Sequence, residues 1–131
     1  MVYGIGIDIV SVDRMKSICS RSKRLLKDDL FSEGELLDAR IDDSDETLTD
    51  RQIGLLASKF AAKEAAVKAI KLPLDISFNW SDIVITGKDN ITIELHRNIK
   101  NYARRIGILR LSGSASISNS YSVAIVKGEP E

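Results

Sequence analysis

Residues 49–72, TDRQIGLLASKFAAKEAAVKAIKL, contain no proline and many strong helix formers, and their reading decides the fold. Thr49 followed by Gln52 has the spacing of a reciprocal cap, so the stretch predicts a helix from Asp50 to about Leu72, the longest in the chain. Pro73 is expected to end it, because proline lacks an N–H and disfavours helix in the residue before it. At about 100° per residue, Ile53, Leu56, Ala57, Phe60 and Val67 fall on one stripe, and Glu64 falls in its middle. Lys68 lies beside Glu64, while Lys63 flanks the stripe on the other side. The helix expected to form the core thus presents a carboxylate from its apolar face.

A second acid is out of place in GIGIDIV, residues 4–10, which reads as a buried strand. Tyr3, Ile5, Ile7 and Ile9 alternate onto one face, and Gly4, Gly6 and Asp8 share the other. Glycines permit close approach of a backbone or a ligand, so Asp8 is expected beside an open floor. Ser11 then caps a helix to about residue 22, with Val12, Met15, Ile18 and Cys19 as its apolar side, and SKRLLKDDLF continues as a shorter helical piece. Ser32 and Glu35 repeat the capping-box spacing and open a helix through about Arg40, after which IDDSDETLTD reads as a surface loop.

Beyond Pro73, DIVITG and ITIELH alternate like strands around Lys88-Asp89-Asn90, NIKNYARRIG reads as a short helix, and RLSGSASIS with YSVAIVKG makes a hairpin. The expected architecture is α+β: residues 1–131 as one domain, about five strands and one long central helix. The early Gly-Ile-Gly is no dinucleotide fingerprint, since no third glycine follows to open a helix.

Composition narrows the function classes. No apolar run approaches the roughly 18 residues of a membrane span, and Asp8 interrupts what a secretory signal needs, so a cytoplasmic protein is expected, with no membrane partner. The single cysteine, Cys19, suits a reducing compartment and points to no zinc site. Nineteen basic and nineteen acidic residues cancel, which argues against a nucleic-acid partner. Residues 11–27 are nonetheless basic, with Asp13 their only acid, and residues 28–50 are acidic, with Arg40 their only base.

Burying Asp8 and Glu64 would cost several kcal/mol unless each is paired or bound to a cation. Singly, each has a plain alternative: Glu64 could pair with Lys68, and Asp8 could accept backbone hydrogen bonds at the strand end or cap the following helix. Jointly, two carboxylates without nearby cysteine or histidine suit magnesium, which completes its shell with water and substrate phosphates. Lysines beside them suit a phosphorylated substrate, and the implied chemistry is phosphoryl-group transfer.

YGIGIDIVSVDRM, SKFAAKEAAVKAI, and SASIS followed by YSVAIV resemble, in order and spacing, the holo-acyl-carrier-protein synthases, the small 4'-phosphopantetheinyl transferases. The resemblance implies that fold, with a small antiparallel sheet packed around the central helix, and transfer of phosphopantetheine from coenzyme A to a serine of an acidic apo-acyl carrier protein, releasing adenosine 3',5'-bisphosphate. It implies Mg2+ held by Asp8 and Glu64, and Lys68 and Lys63 facing phosphates, with Lys68 in a catalytic role. Arg51 and Lys59 would stand near the coenzyme's phosphate-binding region, and either Glu35 or a water on the metal would be the base. Arg14, Arg21 and Arg24 would form the carrier-protein docking surface, with a merely solvated basic face as the alternative. Homotrimers sharing active sites between subunits are also implied. The chain departs from the family's usual Ser-Ile-Ser-His, with Asn119 after Ser118, and from its Gly-rich turn, with Lys71-Leu72-Pro73-Leu74. Asn119 can donate a hydrogen bond to coenzyme A but carries no charge towards a phosphate. The sole histidine, His96, is expected to be structural or on the surface. A non-catalytic homologue that binds a carrier protein or coenzyme A is the alternative function.

Overall fold

A computed structural model of the chain describes residues 2–21, 25–42 and 47–131. Strand β1 (Gly4–Ser11) runs into helix α1 (Val12–Arg21); a widened helical turn at Leu25–Leu30 and the short α2 (Glu33–Asp38) precede α3 (Asp50–Ala69). A tight turn at Trp80–Asp82 then leads to β2 (Ile83–Gly87), β3 (Asn90–Leu95), α4 (Arg97–Arg105), β4 (Arg110–Ile117) and β5 (Tyr121–Glu129). The strands form one antiparallel sheet in the order β1-β5-β4-β3-β2, so the first strand closes on the last, with Asp8 opposite Ala124. The α+β expectation holds, with α3 packed along the inner face of β1 and β5.

The local signals act as their chemistry dictates. Thr49 Oγ1 accepts from the Gln52 N–H at 3.1 Å while Gln52 Oε1 accepts from the Thr49 N–H at 2.8 Å, and Ser32 with Glu35 repeats the arrangement at α2. Ser11 Oγ accepts from the Arg14 N–H at 3.2 Å, which starts α1. The end of α3 differs from expectation. Lys71 takes a left-handed backbone (φ 51°), its N–H donates to the Lys68 carbonyl at 3.1 Å, and the Leu72 N–H donates to the Val67 carbonyl at 3.3 Å. These two bonds close the last turn before Pro73 is reached, so a lysine, in the place where helices favour glycine, terminates the helix.

Two further expectations are corrected. Helix α3 is buried on most of its circumference, because Ala61, Ala62, Ala65, Ala66 and Ala69 are buried as well as Ile53, Leu56, Ala57 and Phe60 of the predicted stripe. In β1 the isoleucines face outward: Ile5, Ile7 and Ile9 are 58%, 56% and 58% exposed, beside exposed Val123 and Ile125 of β5. The floor beside Gly4 and Gly6 is filled by α3. A Cβ on Gly6 would overlap the Ala65 carbonyl oxygen, and one on Gly4 the Ala69 carbonyl oxygen. Strand and helix therefore touch backbone to backbone, and only glycine allows it. Among the described residues no helix is long and apolar enough to cross a membrane.

Gly6→Ala is expected to destabilise the fold by about 3 kcal/mol or more in urea unfolding, because neither backbone can yield without moving the sheet. Stability within about 0.5 kcal/mol of the parent would show that the contact is looser than described.

Candidate active site

The close packing of β1 on α3 brings the two misplaced acids together. Asp8 sits on the inner face of β1 with its side chain 11% exposed. Its Oδ1 accepts from Lys68 Nζ at 2.6 Å, and the same ammonium donates to the Ile7 carbonyl at 3.1 Å. Its Oδ2 is buried and receives no hydrogen bond from an N–H or hydroxyl donor, which leaves the Glu64 carboxyl to share a proton with it. Glu64, one helical turn before Lys68, faces the same spot. Its carboxyl is pushed up from 4.5 to about 7, first by burial and then by hydrogen bonding and charge repulsion from Asp8, against the pull of Arg14 and Lys68. The Lys68 ammonium is in turn raised by its bond to Asp8. Lys68 thus pairs across elements with Asp8, and it alone does not satisfy two acids.

The donor set is all oxygen, and one buried oxygen is reached by no N–H or hydroxyl donor. That fits a hard cation such as Mg2+ better than a thiophilic metal. No cluster of three or more His, Cys, Asp or Glu occurs among the described residues, so a cation held by Asp8 and Glu64 would take its other ligands from water and phosphate.

The other predicted residues divide. Glu35 and Lys63 are fully buried against each other: Lys63 Nζ donates to Glu35 Oε1 at 2.7 Å and to the Trp80 carbonyl at 2.8 Å, over the Phe31 ring. Glu35 also accepts from the Ser32 and Ile85 N–H groups, both at 3.0 Å. The expectation of Glu35 as base and Lys63 as phosphate ligand is therefore corrected, since neither group reaches solvent. Lys59, also buried, donates to the Ile85 carbonyl at 3.1 Å and lies 3.8 Å from Asp38, so it too leaves the phosphate site. The reason is helical phase. Residues 59 and 63 point towards α2 and β2, whereas 64 and 68 point towards β1. Burial pulls the Lys63 ammonium down, and the Glu35 carboxylate opposes that shift.

Arg51 and Asn119 both line a cleft of about 630 Å³ where the first turns of α1 and α3 approach the β2–β3 and β4–β5 turns. The cleft also contains Asp13, Lys16, Asp50, Lys88 and Asp89, which sequence reasoning did not assign. The sequence marks Lys88 and Asp89 only as turn residues; the pairing of β3 with β4 brings that turn beside Ser116 and Asn119. Arg14 and Arg21 are exposed on one side of α1, seven residues apart, and Arg24 lies outside the described residues. His96 is at the surface, 3.1 Å from Glu94.

The long helix packed on a five-stranded antiparallel sheet thus sets an acid from the first strand against an acid from the helix. The chain belongs to the 4'-phosphopantetheinyl transferase superfamily, whose sequence pattern matches residues 4–126. It is 33% identical over 130 residues to the holo-[acyl-carrier-protein] synthase of Ehrlichia chaffeensis, covering 96% of this chain and 95% of that one. It is similar in structure to the synthase of Neisseria meningitidis, with a TM-score of 0.78, 26% identity, and 98% and 99% of the two chains covered. The Helicobacter pylori synthase, solved in complex with coenzyme A, gives a TM-score of 0.74 at 27% identity, with coverage of 95% and 99%.

Lys63→Met leaves the Glu35 carboxylate buried without its cation and is expected to cost about 3–5 kcal/mol in chemical denaturation. Adding Glu35→Gln should recover part of that loss; full additivity of the two changes would contradict the pairing.

Proposed function

We propose that the protein transfers the 4'-phosphopantetheine arm of coenzyme A to a serine hydroxyl of an apo-acyl carrier protein, in a Mg2+-dependent reaction that releases adenosine 3',5'-bisphosphate. The observation that carries this reading is the Asp8–Glu64 pair, with one buried oxygen that no N–H or hydroxyl donor reaches and one carboxyl pushed up to about 7. Asp8 and Glu64 would hold the ion, which when bound offsets charge on the pyrophosphate of the coenzyme. Lys68, 56% exposed and anchored by Asp8 and the Ile7 carbonyl, is fixed where it can meet a phosphate oxygen of the transferred group. With Glu35 enclosed, the serine proton goes to solvent or to a carboxylate of the acid pair.

Arg14 and Arg21 support docking of an acidic partner along α1, with Arg14 close enough to act on Glu64. This would bring the acceptor serine towards the acids. The cleft of Arg51 and Asn119 is assigned to the nucleotide end of the coenzyme. Arg51 lies thirteen residues before Glu64 on α3, about 20 Å along the helix, so one chain carries two separated half-sites. That separation, with the outward Ile5, Ile7 and Ile9, supports a homotrimer in which neighbours complete each other's sites.

Incubation with coenzyme A, Mg2+ and a panel of apo carrier proteins, read by intact mass, is expected to add phosphopantetheine to an acceptor. Asp8→Asn and Glu64→Gln should each lower kcat by about a hundredfold or more while remaining folded. A folded protein that modifies no acceptor, or near-parental rates in either variant, would refute the assignment. Sedimentation should give the mass of three chains of 14.5 kDa, and a monomer would contradict the shared site.

A further inference from the structure

We infer that the turn closing α3, with Lys71 and Leu74 at its surface, is a second contact for the acidic carrier protein beside the basic face of α1; the inference rests on the transferase reading. Two residues of this turn are placed against local preference. Lys71 holds a left-handed backbone (φ 51°), which glycine adopts without steric cost and residues with a Cβ do not. Leu74, three residues on, is fully exposed at 106%. A single exposed leucine is ordinary. One that adjoins a lysine kept where glycine would fit better marks a turn whose side chains serve something outside the fold.

The turn is held firmly. Leu72 packs on the core, Pro73 fixes its own φ, and the Ile76 N–H donates to the Pro73 carbonyl at 3.2 Å, so Leu74 and Asp75 form the tip of a closed four-residue turn. The Lys71 side chain is exposed and makes no hydrogen bond or ion pair among the described residues, Asp75, the only acid of the turn, included. The turn also stands away from the proposed seam between subunits: α3 covers the inner face of β1, and Ile5, Ile7 and Ile9 point out from the other face.

Its distance from the acids puts it under the partner. The acceptor serine has to come up to the Asp8–Glu64 pair, and a standard interface covers about 800 Å² of each partner, a disc of about 16 Å radius. Lys71 follows Glu64 by seven residues, so it lies about 10 Å along the helix and, after two turns, on the same side. Its N–H bonds the carbonyl of Lys68, whose ammonium stands at the site. With Arg14 acting on Glu64 from α1, a protein seated on the acids meets cations from two elements. Lys71 supplies one of them, and Leu74 adds an apolar side chain that loses its exposure on contact.

The test measures kcat/KM for an apo carrier protein at saturating coenzyme A, and KM for coenzyme A at saturating carrier, in Lys71→Gly and Leu74→Ser. Lys71→Gly is expected to raise Tm by about 2–4 °C as the backbone strain goes. It should nonetheless lower kcat/KM for the carrier by about fivefold, with KM for coenzyme A within about twofold of the parent. Leu74→Ser should leave Tm within about 1 °C and lower the same carrier parameter by about fivefold. In about 0.5 M salt the loss from Lys71→Gly should shrink, since it is electrostatic, while that from Leu74→Ser persists. Unchanged carrier kinetics in either variant, a rise in KM for coenzyme A in their place, a fall in Tm for Lys71→Gly, or a smaller sedimenting mass than the parent overturns the inference and leaves the transferase reading intact. A parent that modifies no carrier overturns both.

Discussion

The rest of the structure depends on the contact between the backbones of β1 and α3. Gly4 and Gly6 lie on the Ala69 and Ala65 carbonyls with no room for a Cβ, so the strand is pulled a side-chain's depth closer to the helix than ordinary packing allows. At that distance the next inward residue, Asp8, cannot avoid Glu64 and Lys68. The small residues of α3 follow from the same constraint, since alanines let the helix lie flat on β1 and β5. Fold and site have one cause.

The helix also sorts its charged residues by phase. On the side facing α2 and β2, Lys59 and Lys63 are sealed against Glu35, Asp38 and main-chain carbonyls, and they tie the connection between α1 and α3 to the core. On the side facing β1, Glu64 and Lys68 remain reachable. Neighbouring lysines in one sequence motif therefore do different work: Lys63 holds the scaffold together, and Lys68 stands at the site. The burial of Lys63 is tolerable because Glu35 supplies the counter-charge and the Trp80 carbonyl accepts a further hydrogen bond from the ammonium.

Much of this was legible in the sequence. The capping pairs Ser32/Glu35 and Thr49/Gln52 are local chemistry and placed two helix starts correctly, and the isolated acids in apolar runs marked Asp8 and Glu64 as a pair. What failed depended on distant partners. Periodicity shows which residues of β1 share a face but not which face the helix covers, so the glycine face reads as an open floor although α3 fills it, and the glycines mark the backbone contact. A helical wheel weights alanine too little to reveal a helix buried nearly all round. Glu35 looked available because nothing near it in sequence announces Lys63, and the cleft charges Lys88 and Asp89 reach Arg51 only through strand pairing. Lys71 in place of glycine hid the true end of α3, which is set by hydrogen bonds formed before the proline.

The most direct test of the central claim, that β1 and α3 force two acids into a site relieved by a proton or by a cation, is a carbon-detected NMR titration of the Glu64 carboxyl with and without Mg2+. Without the ion the account predicts a midpoint near 7; because the folded carboxyl then holds its proton more tightly than its ordinary value of 4.5 allows, stability should fall as pH rises between those values. With Mg2+ the midpoint should drop well below its ion-free value and that loss should vanish. A midpoint near 4.5 in the ion-free protein, unmoved by Mg2+, would contradict the account.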